Sequence, residues 1–278
     1  MKQGVIRVAG IQCHSLTDRD LNASQARMYI SNNAKNSDLI VFPELYSSGY
    51  IMEEDYLAKA AEPVQGEFIQ QIRECAKEND TAVIMPFLEW DMGQLYNSVA
   101  VIDSSGDIVG IKRKSINWKS ELGFIQEAPV LDNFEVYEVG GFKIGLLLCY
   151  EASFPELSRA LANKGADIIV VMAFWGEWAL THWQTQLSAR AIDNNVYVVG
   201  VNGLMDDITC GNSMIISPNG NVMDVALKVA GTVNATLCKK ELEAARKTVP
   251  YYSDYMEYIS KIQGRLLGYE GDDIGEIV

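Results

Sequence analysis

Short apolar runs separated by amphipathic stretches constrain the fold of this chain most strongly. Asp38–Phe42 and Ala166–Met172 are almost continuously apolar, which is typical of parallel strands buried on both faces. Residues 20–35 and 66–79 instead repeat their apolar positions at the spacing of a helix with one buried face. This alternation of strands and helices predicts an α/β fold built around parallel strands.

Three predicted hairpins add antiparallel strands to this pattern, turning at residues 104–107, 140–141 and 218–221. The segments Val99–Val109 and Met214–Met223 are similar to each other, and each follows strand–helix units. We therefore expect two similar halves, each with a mixed sheet. No linker rich in Pro, Gly or Ser divides the chain, so residues 1–278 are expected to form a single domain.

Charge and composition argue against several classes of protein. A formal net charge of −14 disfavours nucleic acid and anionic membrane surfaces as partners. The five cysteines are widely spaced without a C-x-x-C pair, so we expect neither a disulfide framework nor a metal site. No phosphate-binding or dinucleotide motif occurs, and no cofactor is implied. Without a signal-peptide pattern or a membrane-length apolar run, a cytoplasmic protein is expected.

Cys149 is the first candidate for chemistry. It ends the apolar run Lys143–Leu148, and a helix is predicted to begin near Pro155. A thiol placed there is expected to face solvent near a helix N-terminus, whose partial positive charge favours the thiolate. The chain has only two histidines, His14 and His182, so a carboxylate is the expected base for a cysteine nucleophile.

Two other functional side chains also follow strands. Glu44 comes just after the run Asp38–Phe42, and Lys114 ends the first hairpin. Ligands of α/β proteins bind beyond the carboxyl ends of the strands. One cavity is therefore expected to hold Glu44, Lys114 and Cys149 together.

Taken in order, these segments resemble the nitrilase, or carbon–nitrogen hydrolase, superfamily. The resemblance extends from about residue 5 to residue 240 and is carried by Phe42–Glu44 with Gly49-Tyr50, Lys112–Lys114, Cys149–Glu156, Ala189–Asn194 and Gly211–Gly220. It implies a four-layer αββα sandwich of two mixed β-sheets, paired into homodimers or larger assemblies.

The resemblance also implies roles for the candidate residues: Glu44 as general base, Lys114 as oxyanion stabiliser and Cys149 as nucleophile. Glu121 is the closest match to a second glutamate of the family, with Glu127 as the alternative. These roles agree with simple chemistry. A free thiol is only a few per cent thiolate at neutral pH, so a carboxylate must take its proton, and an ammonium keeps that carboxylate ionised.

Further residues are expected around this site. Aromatic side chains near the strand ends are expected to line the substrate pocket, with ordinary core packing as the alternative for each: Tyr46, Tyr50, Trp118, Tyr150, Trp175 and Trp178. Charged and polar neighbours are expected to have structural roles. Lys112 and Arg113 would lie on the surface, Glu151 would hold the turn after Cys149, His182 would pack in its helix, and Glu156 would pair with Arg159 or Arg190.

The sequence thus predicts a hydrolase of non-peptide C–N bonds. The substrate would be a small linear amide or N-carbamoyl compound, and ammonia would be released through a Cys149 thioester. Nitrile hydrolysis by the same residues is the alternative reaction, and a small-molecule binding protein on an inactivated scaffold is the alternative class. Residues 250–278 are aromatic and then acidic, and they are expected to pack on their own domain or at a subunit interface.

Overall fold

Two β-sheets packed face to face form the centre of the protein. The computed structural model describes residues 4–130 and 134–262, and within these residues each sheet has six strands. The first sheet has the order β12 (Gly231–Cys238), β1 (Val5–Gln12), β2 (Leu39–Val41), β3 (Ala82–Asp91), β4 (Gln94–Ile102) and β5 (Ile108–Arg113). The second has the order β11 (Val222–Val225), β10 (Met214–Ile216), β9 (Tyr197–Asn202), β8 (Ile168–Ala173), β7 (Phe142–Leu148) and β6 (Val136–Val139).

The two sheets share one strand pattern. Three neighbouring strands are parallel in each sheet, β1–β2–β3 in the first and β7–β8–β9 in the second, and antiparallel strands flank them. β2, β8 and β9 are buried along their whole length, because one face meets the opposite sheet and the other meets helices. The continuous apolar runs of the sequence therefore mark the central parallel strands, as expected.

Helices cover the outer faces of both sheets. Helices α1 (Arg19–Asn33) and α3 (Glu67–Glu78) bury apolar side chains against the first sheet, and α4 (Pro155–Asn163) and α5 (Leu180–Asn194) do so against the second. A separate apolar cluster joins the inner faces of the two sheets. The four-layer αββα sandwich expected from the sequence is confirmed.

Two helices were not predicted as such. Helix α2 (Glu54–Ala60) lies in the loop after β2, and helix α7 (Tyr251–Ile262) begins one residue into the aromatic tail, after α6 (Lys239–Thr248). We had interpreted the segment that contains the start of α2 as a loop and the segment that contains α7 as a tail. Among the described residues, no helix is long and apolar enough to cross a membrane.

Helix α7 packs on its own chain. The Arg159 guanidinium lies 4.3 Å from the ring centroid of Tyr255 and 5.5 Å from that of Tyr252, and the Tyr252 hydroxyl donates to Asn163 Oδ1 at 3.0 Å. The first part of the tail therefore contacts α4 of the same molecule. A subunit contact through the tail stays a prediction, and residues 263–278 lie outside the described part of the chain.

Candidate active site

Three elements bring Glu44, Lys114 and Glu121 together beneath a cavity. Glu44 follows β2, Lys114 follows β5, and Glu121 lies in the loop after it; all three side chains are fully buried. Lys114 Nζ lies 2.8 Å from Glu44 Oε1 and 2.6 Å from Glu121 Oε2. The ammonium therefore stands between two carboxylates, which is the arrangement that lets three charged groups remain buried.

Asn97, which we did not predict, completes this cluster. Its Nδ2 donates to Glu44 Oε1 at 2.8 Å and to Glu121 Oε1 at 2.9 Å. The register of the first hairpin places it there, because the Lys114 N–H donates to the Asn97 carbonyl at 2.8 Å. The sequence could have predicted this position of Asn97, since a hairpin that turns at 104–107 brings Asn97 opposite Lys114.

One oxygen of Glu44 is left open for chemistry. Oε1 accepts from both Lys114 and Asn97, while Oε2 is buried without a hydrogen-bond partner among the described residues. A buried acceptor without a partner is costly. An unpartnered carboxylate oxygen at this position is the atom suited to accept a proton.

The nucleophile candidate occupies a strained turn. Cys149 directly follows β7 at the start of the 3₁₀ turn Cys149–Ser153, and its φ is +50°. Residues with a β-carbon rarely adopt this left-handed conformation, which persists only where the surroundings enforce it. The strand therefore delivers the thiol to the cavity wall, where Cys149 is 7% exposed.

Burial and charge determine the protonation of these groups. Burial raises the pKa of the Cys149 thiol well above its ordinary value, and the Glu44 carboxylate raises it further. The sequence-based expectation of a solvent-facing thiolate is therefore wrong. The reason is that desolvation and the nearby negative charges outweigh the charge of Lys114. The resting thiol is neutral and needs a base.

The pKa values of Glu44, the candidate base, and of its partner Lys114 are both raised. Burial raises the pKa of Glu44 above its ordinary value, and Glu121 adds to this effect, while the Lys114 charge opposes it. Burial by itself lowers the pKa of Lys114, but the carboxylates of Glu44 and Glu121 raise it well above its ordinary value. Lys114 therefore stays an ammonium throughout the ordinary pH range.

Lys112 corrects a second expectation, because it is buried rather than on the surface. It is 1% exposed, and its Nζ lies 2.9 Å from Glu151 Oε2. Side chains two residues apart on a strand share a face, so Lys112 and Lys114 both point inward. Arg113 points the other way and pairs with Glu89 and Asp91, each at 2.7 Å. The alternation along β5 was the signal that we missed.

Glu151 holds the turn after Cys149, as we expected. Its Oε2 accepts from the Leu148 N–H at 2.8 Å, and its Oε1 accepts from the Ser115 N–H at 2.7 Å. It thereby joins the residue before Cys149 to the residue after Lys114. The buried pair of Lys112 and Glu151 thus fixes the two strand ends relative to each other.

Arg190 also supports this turn, by a different contact from the one expected. Its Nε donates to the Ala152 carbonyl at 3.2 Å, and its Nη1 lies 3.6 Å from Asp193 Oδ2. The expected pairing of Glu156 with Arg159 or Arg190 is not among the ion pairs of the described residues. Arg159 instead lies against the aromatic rings of α7, because α7 covers this end of α4.

A cavity of about 290 Å³ opens beside Cys149. Most of the aromatic residues predicted for the pocket do line it: Tyr50, Trp118, Tyr150, Trp175 and Trp178. Phe174, Met205 and Ile208 line it as well and were not predicted. Phe174 directly follows β8, so the strand-end rule could have found it. Among the described residues, no group of three or more His, Cys, Asp and Glu side chains could hold a metal ion.

Tyr46 packs in the core, which was the alternative for it, and does not line the pocket, whereas His182 lines the cavity although we expected it to pack in its helix. Tyr46 is fully buried in the core between the first sheet and its helices, where its hydroxyl donates to Gln25 Oε1 at 2.8 Å. The chain reverses direction at Leu45, whose φ is +44°, so Glu44 and Tyr46 face different regions. His182 lines the cavity, and its ring centroid lies 6.0 Å from that of Trp178.

Comparison with known proteins agrees with this fold. The family model for carbon–nitrogen hydrolases matches residues 7–247, so the chain belongs to the carbon–nitrogen hydrolase family. The resemblance seen in the sequence motifs is thereby confirmed.

Individual relatives are similar over nearly their whole length. An (R)-stereoselective amidase from a Pseudomonas species is 33% identical over 259 residues, covering 91% of each chain. Omega-amidase NIT2 of Homo sapiens is 29% identical over 263 residues, covering 88% of this chain and 93% of that protein. The solved structure of Saccharomyces cerevisiae Nit3, a member of branch 10 of the nitrilase superfamily, matches with a TM-score of 0.80 at 24% identity, covering 89% of this chain and 95% of that one.

Replacing Lys112 tests the buried pair with Glu151. Lys112→Met leaves the Glu151 carboxylate buried without its counter-ion, so we expect a loss of about 3–5 kcal/mol in the free energy of unfolding. Urea denaturation measures it. Lys143→Met is the matched control, because Lys143 is exposed on β7. This substitution should change the free energy of unfolding by no more than about 0.5 kcal/mol. Equal losses in the two variants would contradict the structural role of the pair.

Proposed function

We propose that this protein hydrolyses the C–N bond of small linear amides, with Cys149 as nucleophile, Glu44 as general base and Lys114 as oxyanion stabiliser. The observation that carries the proposal is that Glu44 Oε2 has no hydrogen-bond partner among the described residues. Lys114 binds the other oxygen of this carboxylate, and the neighbouring Cys149 thiol is neutral. A thiol that must lose a proton and a carboxylate fixed to receive it are the two requirements of this reaction.

In the first half of the reaction, Cys149 would be acylated. Glu44 takes the thiol proton as Sγ attacks the carbonyl carbon, which forms a C–S bond and a tetrahedral oxyanion. The Lys114 ammonium stabilises this charge, and the Tyr150 N–H at the start of the 3₁₀ turn is the proposed second donor. Collapse breaks the C–N bond. Protonated Glu44 gives its proton to the departing nitrogen, so ammonia leaves and a thioester remains.

In the second half, the thioester would be hydrolysed. Glu44, again a carboxylate, takes a proton from water as the water oxygen attacks the thioester carbon. The second oxyanion collapses by breaking the C–S bond, and the sulfur recovers a proton from Glu44. Asn97 and Glu121 have a positioning role in both halves, because together with Lys114 they fix the orientation of the Glu44 carboxylate.

Amides are proposed over the other substrates because of the relatives. Three similar proteins are named as amidases: the (R)-stereoselective amidase, omega-amidase NIT2 and a 2-oxoglutaramate amidase. The binding-protein alternative requires a broken catalytic set, whereas Glu44, Lys114 and Cys149 are all in place. N-carbamoyl and nitrile substrates stay open as variants of the same chemistry. A homodimer and a cytoplasmic location stay predictions from the sequence.

Ammonia release tests the proposed function directly. The wild type is expected to release ammonia from butyramide, and Cys149→Ala should lower that rate at least about 1,000-fold because the nucleophile is gone. Cys238→Ala is the matched control, since Cys238 lies at the end of β12, outside the cavity wall, and should keep wild-type activity. Equal ammonia release by wild type and Cys149→Ala would reject the proposal.

The pH profile tests the role of Glu44. Burial raises the pKa of this carboxyl above its ordinary 4.5, and only the ionised form accepts a proton. We therefore expect kcat/KM to fall as pH decreases through a value above 4.5. Circular dichroism over the same range controls for acid unfolding. A folded enzyme that keeps full activity down to the ordinary carboxyl pKa would contradict Glu44 as the base.

A further inference from the structure

The wall of the cavity beside Cys149 offers a charged substrate no Lys or Arg side chain among the described residues, and His182 supplies an imidazole. Among the described residues that line it, none is Lys, Arg, Asp or Glu. Its volume of about 290 Å³ gives room for roughly ten water-sized groups, at ~30 Å³ each. The cavity is therefore large enough for an acyl group well beyond acetyl, and its wall makes no charge pair with one.

Apolar side chains at the open side of the cavity are exposed to an unusual degree. Trp178 is 72% exposed and Ile208 is 63% exposed, although both line the cavity. The Trp178 ring stacks on that of Trp118 at 6.4 Å between centroids, and Trp118 meets Tyr150 edge-on at 4.9 Å. An apolar ligand would cover these surfaces, and the area removed from water would favour its binding.

The charges near the cavity disfavour an anion. At the open side of the cavity, Glu177 lies next to Trp178 in the chain and Asp207 lies next to Ile208. Lys228 Nζ lies 3.0 Å from a carboxylate oxygen of Glu177 and 3.7 Å from one of Asp207. Beneath the cavity, one ammonium faces the two carboxylates of Glu44 and Glu121. Both groups carry one excess negative charge when their carboxylates are ionised, so a second carboxylate on the substrate would be repelled.

The surface cation beside Trp118 does not change this balance. Lys119 Nζ lies 5.8 Å from the ring centroid of Trp118, but Lys119 is exposed and does not line the cavity. A solvated ammonium at the surface is screened by water and salt. It would not replace the buried counter-ion that an enclosed carboxylate needs.

We propose that the substrates are primary amides of uncharged, apolar carboxylic acids, with an aliphatic or aryl acyl group of up to about ten non-hydrogen atoms. The acyl group fills the cavity and covers Trp178 and Ile208, while the amide carbon lies at Cys149. Monoamides of dicarboxylic acids are disfavoured, because no Lys or Arg among the described residues lines the cavity. This inference rests on the proposed amide hydrolysis and names its substrate class.

A matched pair of amides tests the inference. 5-Methylhexanamide and glutaramate have the same branched shape, but glutaramate ends in a carboxylate where the other ends in two methyl groups. We expect kcat/KM for glutaramate to be at least about 100-fold lower, because its charge would be buried without a partner. Along the series from propionamide to hexanamide, kcat/KM should rise about fourfold per methylene.

A charge added to the wall should reverse the preference. Gln186 lines the cavity on α5, whereas Gln184 on the same helix is exposed and outside the wall. Gln186→Lys is expected to raise kcat/KM for glutaramate at least about tenfold by supplying the missing cation. Gln184→Lys adds the same charge to the same helix and should leave the ratio between the two amides unchanged.

Binding separates failure of this inference from failure of the proposed function. The fluorescence of the wall tryptophans reports ligand binding to Cys149→Ala, where 5-methylhexanamide should bind at least about tenfold more tightly than glutaramate. If the wild type hydrolyses no amide, the proposed function is wrong and the substrate class falls with it, whatever the binding ratio. If glutaramate is hydrolysed or bound as well as 5-methylhexanamide, the inference is overturned while amide hydrolysis stands.

Discussion

The buried ammonium of Lys114 between two carboxylates is the interaction on which the site depends. Glu44, Lys114 and Glu121 are fully buried, and moving such charges from water into a protein costs several kcal/mol per ion. Lys114 offsets this cost by pairing with both carboxylates. Asn97 donates to the second oxygen of Glu121 and to the same Glu44 oxygen that Lys114 binds, which leaves Glu44 Oε2 open. Without the ammonium, Glu44 could remain buried only by taking up a proton, and a protonated carboxyl is no base.

The fold supplies the second requirement, which is that distant segments end at one place. Glu44 and Lys114 come from the first sheet and Cys149 from the second, so the cavity forms only when the two sheets pack. The pair of Lys112 and Glu151 joins the sheets at that point, and Glu151 also binds the backbone around Cys149. Sheet packing, turn geometry and the position of the nucleophile are therefore coupled.

The strand-end positions of Glu44, Lys114 and Cys149 could be predicted from the sequence because chain direction and apolar runs determine them. The orientation of individual side chains could be predicted less well. Tyr46 and Glu44 are only two residues apart, but the turn at Leu45 sends Tyr46 into the core. The protonation of Cys149 depends on three-dimensional neighbours, which no local pattern contains. The burial of Lys112 and the position of Asn97 were missed, although strand alternation and hairpin register contained the signal for them.

The rate at which Cys149 is acylated tests the central claim most directly. Rapid quenching of the enzyme with butyramide, followed by intact-protein and peptide mass spectrometry, measures that rate and locates the adduct. The account predicts an acyl group on Cys149 in the wild type and an acylation rate at least about 100-fold lower in Glu44→Gln, which keeps the shape of the side chain. Acylation of Glu44→Gln at the wild-type rate, or an adduct on another residue, would contradict it.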